Sequence, residues 1–169
     1  MKVLEVNLSC LNIGNEGLIC YDLNITQKIC GTIKNEIGNT PLAIKVGYYE
    51  DDAALAKLST IANEYANDIS TINTIQATIV DKQGNPAIPG DNREKSGVCG
   101  SAIKWAGINM VKRLKKIRDE KGYKYSITGI GGVMDKKDFN DYRDVGADIV
   151  MSATGAMWNP NLAQKVKNN

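Results

Sequence analysis

Short apolar, β-branched runs alternate with amphipathic helical segments along the whole chain, and few folds accommodate that rhythm. Strands are expected at residues 3–8, 42–46, 69–73, 125–129 and 148–152. Helices are expected at 26–37, 51–66, 101–120 and 136–145. In the helix over 51–66, Ala54, Leu58, Ile61 and Tyr65 recur at helical spacing behind an acidic first turn, and read as one buried stripe. Strand, helix, strand, helix implies a parallel sheet covered by helices.

Two architectures share that pattern, the open doubly wound sheet and the (β/α)8 TIM barrel. No G-x-G-x-x-G follows the first strand, which counts against a dinucleotide-binding open sheet. Small and polar residues end nearly every strand instead: Asn7 to Cys10, Lys45, Asn73 with Thr74, Gly131 with Gly132, and Thr154 with Gly155. That distribution suits a barrel, whose site is assembled from all its strand ends. A whole barrel needs eight strands and typically about 250 residues. With five strands, the expectation is a partial barrel of about five β/α units, a single domain over 1–169 that lacks the N-terminal strands. The segment 76–100 holds two of the four prolines, Pro86 and Pro89, and reads as one long irregular loop, a lid or binding loop.

The 169 residues contain no histidine. Ser-His-Asp and Cys-His catalysis in cis is thereby excluded, together with most zinc and non-haem iron sites, so no metal is expected. Acid–base work falls to Cys, Lys, Asp, Glu, Tyr or a cofactor. The net charge is +2, and the basic run Lys112-Arg113-Leu114-Lys115-Lys116 is followed by Asp119 and Glu120. This reads as a solvated helix face, not a nucleic-acid surface. No apolar run reaches membrane-spanning length, and no signal peptide opens the sequence, so a cytoplasmic location without a membrane partner is expected. Cys10, Cys20, Cys30 and Cys99 show no C-x-x-C spacing and are expected as free thiols.

The sharpest motif is Asn7-Leu8-Ser9-Cys10-Leu11-Asn12, which puts two amides and a thiol on the turn leaving a strand. Amides supply both donors and acceptors, as recognition of a planar ring with alternating N–H and C=O groups requires. A thiol there is a nucleophile, a base or a buried filler. Lys45 interrupts the apolar run Ala43-Ile44-Lys45-Val46, and a buried lysine needs a negative partner.

The hexad resembles the Asn-x-Ser-Cys-Pro-Asn signature of soluble, class 1 dihydroorotate dehydrogenases, with Leu11 in place of proline. The similarity continues, in family order and near family spacing, through Ile44-Lys45-Val46, Ile72-Asn73-Thr74-Ile75, Gly97 to Ile103, Gly129 to Val133 and Ala153 to Trp158. It covers almost the entire chain, as the C-terminal portion of the barrel. The resemblance implies an FMN-dependent flavoprotein oxidoreductase of pyrimidine biosynthesis that oxidises dihydroorotate to orotate. Cys10 would be the catalytic base at C5, while hydride leaves C6 for the flavin. Asn7, Asn12, Asn73 and Thr74 would bind the substrate. Asn7, Lys45, Val46, Gly100, Gly131, Gly132, Thr154 and Gly155 would bind FMN, the last four in the two loops expected to take its phosphate. The family usually reads Gly-Thr where this chain has Thr154-Gly155.

Soluble relatives use fumarate or NAD as electron acceptor. NAD use would imply an iron–sulfur and FAD partner subunit, and homo-oligomers are expected in either case. The alternative reading is a truncated, non-catalytic barrel fragment that binds a phosphate ligand or a partner chain.

Overall fold

In the computed structural model, which describes residues 2–10, 18–88, 90 and 95–168, seven strands form: β1 (Leu4–Asn7), β2 (Leu42–Val46), β3 (Asp68–Thr71), β4 (Ile75–Thr78), β5 (Lys95–Val98), β6 (Ser126–Ile130) and β7 (Ile149–Met151). Five of them make one sheet in the order β1-β2-β3-β6-β7, with every pair parallel. Each new strand joins the same side of the last. A doubly wound sheet would reverse direction partway; steady addition with helical crossovers is the arc of a barrel.

Helices α1 (Leu23–Ile37), α2 (Asp52–Tyr65), α3 (Lys104–Lys121) and α4 (Lys136–Asp144) lie between the sheet strands, and the short α5 (Thr154–Trp158) and α6 (Leu162–Lys167) follow β7. α1 begins three residues before the expected position because Asp22 accepts the backbone N–H groups of Asn24 and Ile25 at 3.1 and 3.0 Å. Asp51 caps α2 in the same way, through Ala53 and Ala54. α3 ends where Gly122 turns left-handed.

The two faces of the sheet differ in chemistry. Leu42, Ile44, Val46, Ile69 and Ile127 point outward into the buried core with Leu55, Leu58, Met110, Val111 and Leu114 of α2 and α3. Each such side chain contributes roughly 1.5–3 kcal/mol of transfer free energy. The predicted stripe of α2 holds at its centre: Leu58 and Ile61 are buried and Ala54 and Tyr65 half-buried, while Leu55 and Ala62 widen the contact face. Alternation turns Glu5, Asn7, Lys45, Asp68, Ser70, Ser126 and Thr128 to the opposite, inner face. Register aligns Asn7, Lys45, Ser70, Thr128 and Ile149 in one row across all five strands.

One expectation is corrected here. The segment 76–100 is not irregular throughout, because β4 and β5 pair antiparallel from Ile75↔Val98 to Thr78↔Lys95, with a further bridge between Val80 and Pro86. β4 alternates half-buried and exposed over only four residues, and Lys95-Ser96-Gly97-Val98 has little apolar character. Neither half carries a strand signal by itself. Most of the basic run of α3 is a solvated face, where Lys115 pairs with Asp119 and Lys116 with Glu120 and Leu114 turns into the core; Arg113 departs from it, mostly buried and pairing with Asp52. All four cysteines are free.

Thr71 is fully buried, and its hydroxyl has no hydrogen-bond partner among the described residues. An unsatisfied buried hydroxyl is costly, and valine keeps the shape without it. Thr71→Val is therefore expected to stabilise the chain by about 1 kcal/mol, read as a rise in thermal midpoint of about 2–4 °C. A fall would show that the hydroxyl is satisfied in solution.

Candidate functional site

The turn that leaves β1 is clamped by three strands. Leu8 extends the sheet ladder by donating its N–H to the Lys45 carbonyl at 2.9 Å. Ser9 is buried, and both its N–H and its hydroxyl donate to Asn7 Oδ1 at 3.1 Å. Asn7 thus shapes its own turn, as a short polar side chain does. From β3, Asn73 Nδ2 donates to the Ser9 carbonyl at 2.6 Å, and the Asn73 N–H donates to the Val46 carbonyl at 3.0 Å. Half-buried Cys10 follows this clamp directly.

The other expected residues of this region fall into place unevenly. Lys45 is half-buried on the inner face, level with Asn7 and Ser70. No carboxylate pairs with Lys45 among the described residues. Lys45 is only half-buried, so its ammonium needs no buried counterion. Val46 packs its side chain into the core and leaves only backbone to the strand end. Thr74 is half-buried beside Asn73. Asn12 and Leu11 lie outside the described residues.

A second cluster forms at the ends of β6 and β7, where three loops meet backbone against backbone. Gly100, Gly131 and Gly132 have φ of 76°, 120° and 68°, a region L side chains rarely adopt. A Cβ on Gly132 would lie 2.7 Å from Lys104 Cβ and 2.9 Å from the Gly100 carbonyl. One on Gly100 would touch Thr154 Cγ2 at 3.4 Å, and one on Gly155 would collide with the Val133 carbonyl. Side chains from below hold this arrangement. The buried Tyr142 hydroxyl sits 2.7 Å from the Gly131 carbonyl and 3.0 Å from that of Ile130, donating to the pair. Ser152 donates to the Val133 carbonyl at 2.6 Å, and Thr154 donates to Cys99 Sγ at 3.5 Å. The packing leaves no room for a side chain at Gly132 and Gly155, and the positive φ disfavours one at Gly100 and Gly131, so bare backbone lies at the strand ends. Such a surface lets a phosphate come near backbone N–H groups.

Deeper on the inner face lies a polar layer that the sequence reading missed. Asp68 Oδ1 accepts the hydroxyls of Ser126 and Thr128, both at 2.9 Å. Ser70 Oγ stands 2.9 Å from Asp68 Oδ2 and 2.8 Å from Glu5 Oε2. A hydroxyl has one proton to donate, so both contacts are satisfied only when a carboxyl carries a proton. Burial pushes the Asp68 carboxyl up from its ordinary value, against the pull of its three hydroxyl donors, and the Glu5 charge adds to the rise. An acid at a strand's first residue reads from sequence as a cap, which is why this one escaped notice.

Among the described residues, no group of three His, Cys, Asp or Glu could hold a metal ion. No helix among them is long and apolar enough to cross a membrane. The family model described as dihydroorotate dehydrogenase matches residues 1–169. The dihydroorotate dehydrogenase of Dictyostelium discoideum is 37% identical over 173 aligned residues, covering 99% of this chain and 46% of the relative. The dihydroorotate dehydrogenase B (NAD(+)) catalytic subunit of Staphylococcus carnosus is 27% identical, covering 98% and 52%. The chain therefore spans about half the length of the curated relatives it matches. Two solved structures from Eimeria tenella, DHODH with ferulenol and the ligand-free form, share the fold. Their TM-scores are 0.78 and 0.77 at 17% and 18% identity, over 99% of this chain and 48% and 50% of theirs.

The Asp68 layer makes stability depend on pH. With its folded value raised, Asp68 binds a proton more tightly in the native than in the unfolded chain. Stability is therefore lost as pH rises from the ordinary value of 3.8 through the raised one. Asp68→Asn keeps an acceptor for Ser126 and Thr128 and offers Ser70 a donor. It is expected to raise the denaturation midpoint at pH 7, by an amount that shrinks on acidification and levels off below pH 3.8. Urea titrations at several pH values check this; a gap that grows on acidification would contradict it.

Proposed function

The chain belongs to the dihydroorotate dehydrogenase family, and on that premise we propose that it carries the base and part of the cofactor site of an FMN-dependent oxidation of dihydroorotate to orotate, a step of pyrimidine (UMP) biosynthesis. What supports this most directly is the clamp that places Cys10 at the same sheet edge as the glycine cradle. When bound, FMN would supply the acceptor for the hydride that leaves C6 of the substrate.

Each residue then has a defined task. Cys10 Sγ takes the proton from C5. Its turn is held by Asn7, Ser9 and Asn73, so the sulfur is positioned by three strands and not by one flexible loop. Among the described residues, Asn7 Oδ1 and Asn73 Nδ2 are occupied by that clamp, whereas Asn7 Nδ2 and Asn73 Oδ1 have no protein partner. They leave one donor and one acceptor for a ring with alternating N–H and C=O groups. Asn12 and Thr74 complete the proposed substrate contacts. The Lys45 ammonium, unpaired with any described carboxylate, would offset negative charge on the reduced flavin ring. Gly100, Gly131, Gly132, Thr154 and Gly155 would hold the FMN phosphate, and what supports this is the positive φ of Gly100, Gly131 and Gly132, which leaves bare backbone at the strand ends.

Dihydroorotate and orotate are thus the proposed small-molecule partners. The relatives of the B (NAD(+)) type are named as catalytic subunits, and an iron–sulfur/FAD subunit would be the corresponding partner if NAD is the acceptor here. One observation favours the second reading, a non-catalytic barrel fragment that pairs with another chain or copy. Ile149 and Met151 lie on the inner face of the edge strand β7 at 50% and 44% exposure.

The absorbance spectrum of the purified, gel-filtered chain separates the two readings, since only the first expects bound flavin. In flavin-loaded protein, Cys10→Ala is expected to lower dihydroorotate turnover by about 10²–10⁴-fold with flavin content unchanged. Lys45→Ala should instead lower the flavin content. Full turnover in Cys10→Ala would remove the thiol from the mechanism.

A further inference from the structure

We propose that Lys104 is a positioning residue for the flavin phosphate, acting through the glycine loops and not by touching the phosphate itself. The inference rests on the cofactor reading above. Lys104 opens α3, directly after the 3-10 turn Gly100–Ile103. Its ammonium is committed to two carboxylates of α4, pairing with Asp138 and, at 2.6 Å, with Asp141. Both hydrogen bonds lie in a part-buried setting, where an ion pair is less screened by water and salt than on an open surface.

The partner carboxylate reaches the second loop. Asp138 Oδ2 accepts the N–H of Met134, two residues past Gly132, at 2.9 Å. Asp138 is itself seated by the α4 cap, since Asp135 Oδ1 accepts its N–H at 2.8 Å. One carboxylate therefore joins the loop after β6 to the residue that follows the Gly100 turn. The join lies against the tightest contact in the cradle, because a Cβ on Gly132 would meet Lys104 Cβ at 2.7 Å and Ser101 Cα at 3.0 Å. Asp141 also accepts Lys137 at 2.9 Å, so two ammonium groups and two carboxylates balance. The ion pair sets the separation of the Gly100 turn from Gly131 and Gly132, and with it the spacing of the backbone N–H groups offered to a phosphate.

A residue with this role distinguishes FMN from riboflavin, which has the same ring without the phosphate. The test titrates the flavin-free full chain with each ligand, following flavin fluorescence, for wild type, Lys104→Met and Lys104→Arg. Lys104→Met is expected to weaken FMN binding at least tenfold and riboflavin binding less than twofold. Lys104→Arg, which keeps the charge and the reach, is expected to bring FMN affinity back to within about threefold of wild type. If Lys104→Met fails to fold, Asp141→Asn decides by the same ratio, with a smaller shift in the same direction. Unchanged FMN affinity in the variant, or equal losses for FMN and riboflavin, would overturn the proposal while the cofactor reading stands. A wild-type chain that binds neither flavin would overturn both.

Discussion

Parallel pairing in strict chain order is the constraint on which everything else depends. A parallel ladder aligns all strand ends of one kind along one edge, and a helical crossover returns the chain to that edge each time. The row Asn7, Lys45, Ser70, Thr128 and Ile149 is the visible result: five residues far apart in sequence, level across the sheet. The Leu8 N–H to Lys45 carbonyl bond carries the ladder one step past β1. That one step places Ser9 where Asn73 can reach its carbonyl from two strands away. Without the register, Cys10 would sit on an ordinary loop.

The sheet also divides its labour by face. The outer side, against the helices, is aliphatic and nearly dry, and supplies the stabilisation. The inner side is mostly polar from β1 to β6, apart from Ala43 and Ile130, and apolar on β7. Where that face is buried, at Asp68, Ser70 and Thr128, the polar groups must satisfy one another. The Glu5, Ser70, Asp68, Ser126 and Thr128 chain does so with the single Ser70 hydroxyl proton facing two carboxylates. Burial is the largest cause of the raised Asp68 carboxyl, and the Glu5 charge adds to it. Lys45, level with Ser70 and Thr128, keeps its charge uncommitted to any described carboxylate.

Much of this was legible in the sequence, for reasons that differ by element. The five sheet strands were readable because each is short, β-branched and bounded by a helical pattern. The glycine loops were readable because a positive φ at Gly131 and Gly132, and a buried backbone contact at Gly155, can hardly be met by another residue. The hairpin of β4 and β5 was not, since its stability lies in pairing across an intervening segment and neither half is apolar enough to announce itself. Lys45 is less legible for a related reason: Ile44 and Val46 face outward into the core, while Lys45 turns inward with Ala43 and is only half-buried. The acid of Asp68 and the hydroxyls of Ser126 and Thr128 lie about sixty residues apart in the chain, so nothing local links them.

The same contrast explains how the cradle is held. Glycines state where a backbone must come close but supply no force that brings it there. The forces come from side chains on other elements: the Tyr142 hydroxyl against two carbonyls, the Ser152 hydroxyl against a third, and the Lys104 ammonium drawn to α4. Tyr142 also fills the space that a Cβ on Gly107 or Gly129 would enter. One aromatic ring thus lets α3 lie close to β6 and fixes the loop that leaves β6. The cradle is in this sense a property of α4, nine residues long and mostly polar on its exposed side. That helix contributes little to the core beyond Tyr142, and its clearest structural task is to hold two glycine loops at one distance.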